Sequence, residues 1–240
     1  MKLTLKNILS FAALTAVSTA SLLVAQGSAS AVTISIGGTS VAGQGLKTSV
    51  GGATTIDFNN GFPTTGIATF SGQNATSLVT GGVSGNHGNP AGDNSQYLTI
   101  TPKNSGKSGA TDSVIVNFAK AINYFGLYWG SADNYNQISF YNGAKLLATY
   151  GGGDLANKFS GLISTTGSWT NSQANFYGNF FADAGEAFTS VKLTATGVAF
   201  ESDNFAYTEA EAVPEPMTMT GLALGVGAMV SARRRKAQKA

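Results

Sequence analysis

The chain has 240 residues, of which 42% are hydrophobic and 11% charged, with 31 glycines and no cysteine. Its formal charge of +2 comes from the ends: between Val32 and Ala212 stand seven lysines, eleven carboxylates and no arginine, a net of −4. A mildly acidic body without the residue best suited to phosphate recognition argues against nucleic acid as a partner, and the missing cysteines exclude a disulfide framework.

At the start, Lys2 and Lys6 precede a mostly apolar run from Ile8 to Ala25, and Ala29-Ser30-Ala31 offers a small-x-small cleavage site. Residues 1–31 therefore read as a secretory signal peptide, with signal peptidase as a processing partner and a mature chain beginning near Val32. Residues 32–208 are enough for one domain with its own core. They hold no sustained 3.6-residue apolar period. Short apolar runs bounded by Gly, Asn, Pro or Ser predict strands instead. In order these are Val32–Ile36, Ile67–Ser71, Tyr97–Thr101, Val114–Phe118 and Ile122–Trp129, then Ile138–Tyr141, Lys145–Tyr150, Asn175–Ala182, Ser190–Ala195 and Asn204–Thr208. Alternation puts Phe125, Leu127 and Trp129 on one face, with Trp129 in the core, and Tyr124 and Tyr128 on the other. Asn142-Gly143 between two apolar runs predicts a tight hairpin. The glycine-rich segments 37–52 and 81–92 read as long loops, functional or decorative. The expected fold is all-β, a single antiparallel β-sandwich with jelly-roll-like topology.

Residues 209–216 form a linker that ends in Pro214-Glu215-Pro216, where the prolines hold the backbone extended. Residues 217–240 are a hydrophobic helix and a basic tail. The sixteen residues Met217 to Ala232 span about 24 Å as a helix, short for a permanent span. Arg233, Arg234 and Arg235 would stay cytoplasmic. The tail thus predicts transient anchoring in the inner membrane.

This tripartite tail resembles the PEP-CTERM sorting signal that exosortases recognise in Gram-negative bacteria. Within the body, Pro90-Ala91-Gly92-Asp93, the stretch from Tyr124 to Gly143, and Phe200-Glu201-Ser202-Asp203-Asn204-Phe205-Ala206-Tyr207 resemble a family of exosortase-dependent surface proteins found chiefly in cyanobacteria. The likeness covers most of residues 57–216. It implies export, exosortase as a partner, a cell-surface or extracellular address and a β-sandwich. It does not imply a reaction. The expected role is structural or adhesive, in the envelope or an exopolysaccharide biofilm matrix. A surface carbohydrate-binding module is the alternative, with a secreted glycoside hydrolase behind it.

The residues that carry chemistry are few. His87 is the sole histidine, in the loop Gly85–Asn89, and no nucleophile elbow accompanies it. Glu201 and Asp203 share a strand face, and Asp57, Asp93 or Asp133 could join them as the carboxylate pair of a glycosidase. Alternation makes that geometry common, so the chain is read as no enzyme. Asp93, Glu201, Asp203 and Asn204 gather the oxygen donors calcium prefers, which makes structural calcium the one candidate cofactor; turn hydrogen bonds are the competing explanation. Sugar binding would use Tyr124, Tyr128, Tyr135 and Tyr141 with Asp133 beside them, with polysaccharide as partner, although large aromatics more often serve cores.

Overall fold

The computed structural model describes residues 31–72, 76–102 and 111–211. The signal peptide, the Pro-Glu-Pro motif and the sorting helix with its arginines lie outside the described residues. The strands are β1 (Val32–Ile36), β2 (Thr39–Ser40), β3 (Leu46–Lys47), β4 (Thr54–Ile56), β5 (Ala68–Ser71), β6 (Thr76–Val79) and β7 (Tyr97–Ile100). After them come β8 (Asp112–Gly130), β9 (Asn136–Asn142), β10 (Lys145–Gly151), helix α1 (Gly152–Lys158), β11 (Phe176–Ala182), β12 (Phe188–Ala195) and β13 (Phe200–Glu209). The fold is all-β, and every ladder between these strands is antiparallel.

The 19-residue β8 is the spine. Its first half pairs with β12 (Asp112↔Ala195 to Asn117↔Ser190) and with β5 (Ile115↔Ser71 to Phe118↔Ala68). Its second half pairs with β11 (Tyr124↔Phe181 to Trp129↔Phe176) and with β13 (Tyr124↔Thr208 to Gly130↔Glu201). One sheet is therefore β10-β9-β12-β8-β5. The other is β1-β11-β8-β13, extended beyond β13 by β4 and by β7-β6. Because β8 serves both, the ladder runs unbroken through eleven strands. The two strands predicted at Val114–Phe118 and Ile122–Trp129 are thus one. The exposed Ala119 and Lys120 interrupt the apolar pattern where the strand passes from one sheet to the other.

The sheets pack through aromatic rings. Phe140 on β9 lies 4.9 Å from Phe180 on β11 and 6.4 Å from Phe125 on β8, and Tyr150 on β10 lies 6.2 Å from Phe180. Trp129 stacks on Phe200 at 4.5 Å and is fully buried, as its alternation predicts. Each such side chain contributes roughly 1.5–3 kcal/mol by leaving water.

Three details differ from expectation. The β9–β10 hairpin turns on Gly143-Ala144, since Asn142 still pairs with Lys145; Gly143, at φ +56°, takes the first central position, where a type II′ turn needs glycine. The strands β2, β3, β4 and β6 carry two to four residues each, too few to show a period. Helix α1 is likewise only seven residues; the Asp154 carboxylate accepts from the Gly151 N–H at 2.8 Å, and Leu155 is buried beneath it.

Candidate functional site

Strand alternation sends Tyr124, Gly126, Tyr128 and Gly130 of β8, and Glu201 and Asp203 of β13, to the face of the second sheet that points away from the core. This face is not open. The loop over residues 37–52 lies flat on it. A Cβ on Gly45 (φ +63°) would fall 2.2 Å from the Tyr128 ring, and one on Gly38 would fall 2.9 Å from Tyr177 Cβ. Only glycine permits so close an approach. The hydroxyls beneath are all engaged: Tyr124 donates to Asn179 Oδ1 at 2.8 Å, Tyr128 to the Ala91 carbonyl at 2.6 Å, and Tyr177 to the Asn204 carbonyl at 2.8 Å. Tyr124 and Tyr128 are therefore buried rather than displayed, which corrects the expectation that they present their rings to a ligand. The covering loop is remote in sequence, and alternation alone cannot reveal it. Tyr141 sits on β9 in the other sheet.

The opening lies at the end of this face. Residues 83–88, 131–135, 166–169 and 198–201 enclose a cleft of about 390 Å³. Asp133 and Tyr135, both singled out in the sequence, line it together with His87, Ser131 and Glu201. Tyr135 anchors its ring by donating to the Val198 carbonyl. Asp133 is backed by Gly167, whose Cβ would stand 2.6 Å from Asp133 Oδ1. Burial raises the Asp133 carboxyl, and the nearby Tyr135 hydroxyl opposes the rise. Glu201 is only 3% exposed. Its Oε2 accepts from the Ser131 hydroxyl at 2.6 Å and its Oε1 from the Gly88 N–H at 3.0 Å. Burial pushes its carboxyl up to about 7, with the Asp133 charge adding to the effect. His87 is also held in place. The Tyr97 hydroxyl donates to the Gly81 carbonyl at 2.6 Å, so it accepts from the Nδ1–H of His87 at 2.7 Å. The imidazole thus pairs with a phenol, not with a serine or a carboxylate.

Trp169 escaped the sequence reading and dominates the rim. It is 41% exposed, among the few large apolar side chains left in water. Its indole rests on the backbone of the 81–92 loop: a Cβ on Gly82 or Gly88 would meet the ring at 1.9 and 2.5 Å. Trp169 borders the cleft on one side and, on the other, a hollow of about 470 Å³ with Asn89, Ala91, Gly92 and Thr170. Ala91 and Gly92 in turn border a third hollow of about 460 Å³ toward Val41, Leu46 and Ser172. The three form a track across the loop-covered surface.

The calcium candidates divide. Glu201 belongs to the cleft, whereas Asp93, Asp203 and Asn204 lie together, fully buried, under the loops. Among the described residues no three acidic or histidine side chains converge as metal ligands. No family model matches the chain, and no curated protein or solved structure matches it either.

Proposed function

We propose that this is an exported, exosortase-sorted surface protein whose β-sandwich grips polysaccharide, giving it an adhesive role in the envelope or the exopolysaccharide matrix. The export and sorting half of the reading is supported by the signal-like N-terminus and by the Pro214-Glu215-Pro216, apolar and arginine tail. On it, signal peptidase and exosortase are processing partners, and the C-terminal helix anchors the chain in the membrane only until it is cleaved. The glycan half is carried by one observation: Trp169, exposed on a glycine bed, stands between a polar cleft and a shallow track. A flat apolar ring beside hydroxyl, amide and carboxyl groups suits a sugar, which has apolar faces and a polar rim. A run of three neighbouring hollows favours a chain of sugars over a single one.

A hydrolytic reading has one point in its favour, since Glu201 and Asp133 share the cleft. Each Glu201 oxygen, however, already accepts a hydrogen bond from within the protein, from Ser131 and Gly88. On the binding reading Glu201 ties loop 81–92 to β13.

Affinity electrophoresis through polysaccharide gels, backed by a glycan array, tests the binding half. Trp169→Ala should weaken retention about tenfold or more, the scale expected on losing ~1.5–3 kcal/mol of apolar burial, with the β-sheet circular dichroism spectrum of the wild type retained. Retention equal to wild type would remove the proposal's support. For sorting, intact mass of surface material should end before Met217; a cytosolic, full-length product would contradict it.

A further inference from the structure

Beneath the same loops lies a second polar cluster that the glycan reading does not use. Asp93 and Asp203 are each 0% exposed, and the Ser95 hydroxyl reaches the carboxyl groups of both. Ser95 serves both. Its N–H and hydroxyl reach Asp93 Oδ1 at 2.9 and 2.5 Å, and its hydroxyl lies 3.3 Å from Asp203 Oδ2. Asp93 Oδ2 and Asp203 Oδ1 are left without any partner. No cation answers them: the ion pairs among the described residues are Lys120–Glu209 and Lys145–Glu186, both elsewhere.

A separate observation comes from a neutral side chain. Asn204, in the left-handed region at φ +50°, is 0% exposed. Its Nδ2 donates to the carbonyls of Gln44 at 2.6 Å and Leu46 at 3.1 Å, and Gln44 is the backbone bridge partner of Asp93. The amide is thus wedged between β13 and the segment that meets Asp93. Its Oδ1 has no donor.

Buried oxygens without partners are costly and uncommon, and two adjacent buried carboxylates cannot both ionise without a counter-charge. A proton shared between the aspartates would relieve the carboxyl pair but leave Asn204 Oδ1 stranded. One bound cation would answer all three. The donors are all oxygen, which selects a hard ion, and complete burial disfavours magnesium, which keeps several of its waters. We propose that Asp93, Asp203 and Asn204 contribute to a calcium site that pins the 37–46 and 81–94 segments to β13. Calcium takes six to eight oxygens, so neighbouring backbone carbonyls complete the set. Glu201, the fourth candidate in the sequence, takes no part, because it lines the cleft and is bonded there to Ser131 and Gly88.

The site is tested on the purified protein by thermal unfolding in EDTA and in calcium, and by luminescence of terbium, which substitutes for calcium. Calcium at tenfold excess over its Kd should raise Tm by about 3–6 °C, and magnesium should raise it less. Terbium should luminesce on tyrosine excitation, since Tyr128 stands directly opposite Asp203 in the ladder. Asp203→Asn should abolish both effects. If that variant does not fold, the calcium-against-EDTA comparison on the wild type decides alone. Absence of both the calcium-dependent shift and the luminescence would overturn the site. So would an Asp203→Asn protein more stable than wild type whether or not calcium is present, since that is the behaviour of a shared proton.

Discussion

The two faces of the second sheet solve the same problem in opposite ways. Toward the core, β8 sends Phe125, Leu127 and Trp129 into contact with other apolar rings, and packing is their whole support; even the Trp129 Nε1–H, buried there, has no hydrogen-bond partner. Away from the core, the same strand sends Tyr124 and Tyr128, and β13 sends Glu201 and Asp203, into a layer that is just as buried but polar. There each group needs a named partner, and apart from Asn179 on β11, which accepts from Tyr124, the partners come from loops. Burial by packing tolerates a missing contact by leaving a void; burial by hydrogen bonding leaves an orphaned donor or acceptor. The first face makes the fold. The second positions the loops that form the cleft.

Substitutions on the two faces should separate these roles. The largest effect belongs to the core: Phe140→Ala removes a ring packed on Phe125, Phe180 and Phe188, and urea denaturation should show a loss of about 3–5 kcal/mol.

On the polar face, Glu201 makes stability depend on pH. Its folded value of about 7 lies above the ordinary 4.5, so the folded state favours the protonated form. That stabilisation is complete below about pH 4.5 and is lost as pH rises through 7. Across this window the wild type should lose on the order of 3 kcal/mol relative to Glu201→Gln, read as the difference between their Tm–pH profiles. Parallel profiles would mean that Glu201 stays ionised when folded.

A smaller effect tests the covering loop. Gly45→Ala should cost about 1–3 kcal/mol, from the positive φ and the clash with Tyr128. Gly51→Ala, with no atom within 4 Å, should stay within about 0.5 kcal/mol. Equal costs would mean that the loop does not lie on the tyrosines.

Alternation made much of this legible. It located β1 to the residue, the core placement of Trp129 and the shared face of Glu201 and Asp203, while the Asn142-Gly143 turn signal placed the β9–β10 hairpin to within one residue. The pairing of an aromatic with a nearby carboxylate, the mark of a sugar site, singled out Asp133 and Tyr135, which meet in the cleft. Alternation failed where the deciding partner is distant in sequence. Tyr124 and Tyr128 look exposed until a loop some eighty residues earlier in the chain folds over them. Trp169 sits in a polar stretch, Thr165 to Asn171, with no period to mark it; the signal that could have found it is a lone tryptophan among serines, threonines and a glycine. His87 looked unsupported because Tyr97, its partner, lies on β7 beyond the loop's end.

The smallest structural change with the largest functional meaning concerns the two tryptophans, the only ones in the chain. Trp129 is sealed in the core and Trp169 stands on the rim, so iodide should quench one fraction of the emission and spare the other. Adding a bound polysaccharide should shield the quenchable fraction, and Trp169→Phe should remove that fraction altogether. Quenching that polysaccharide leaves unchanged, with retention in the same polysaccharide gel intact, would contradict the claim that sugar lies over Trp169.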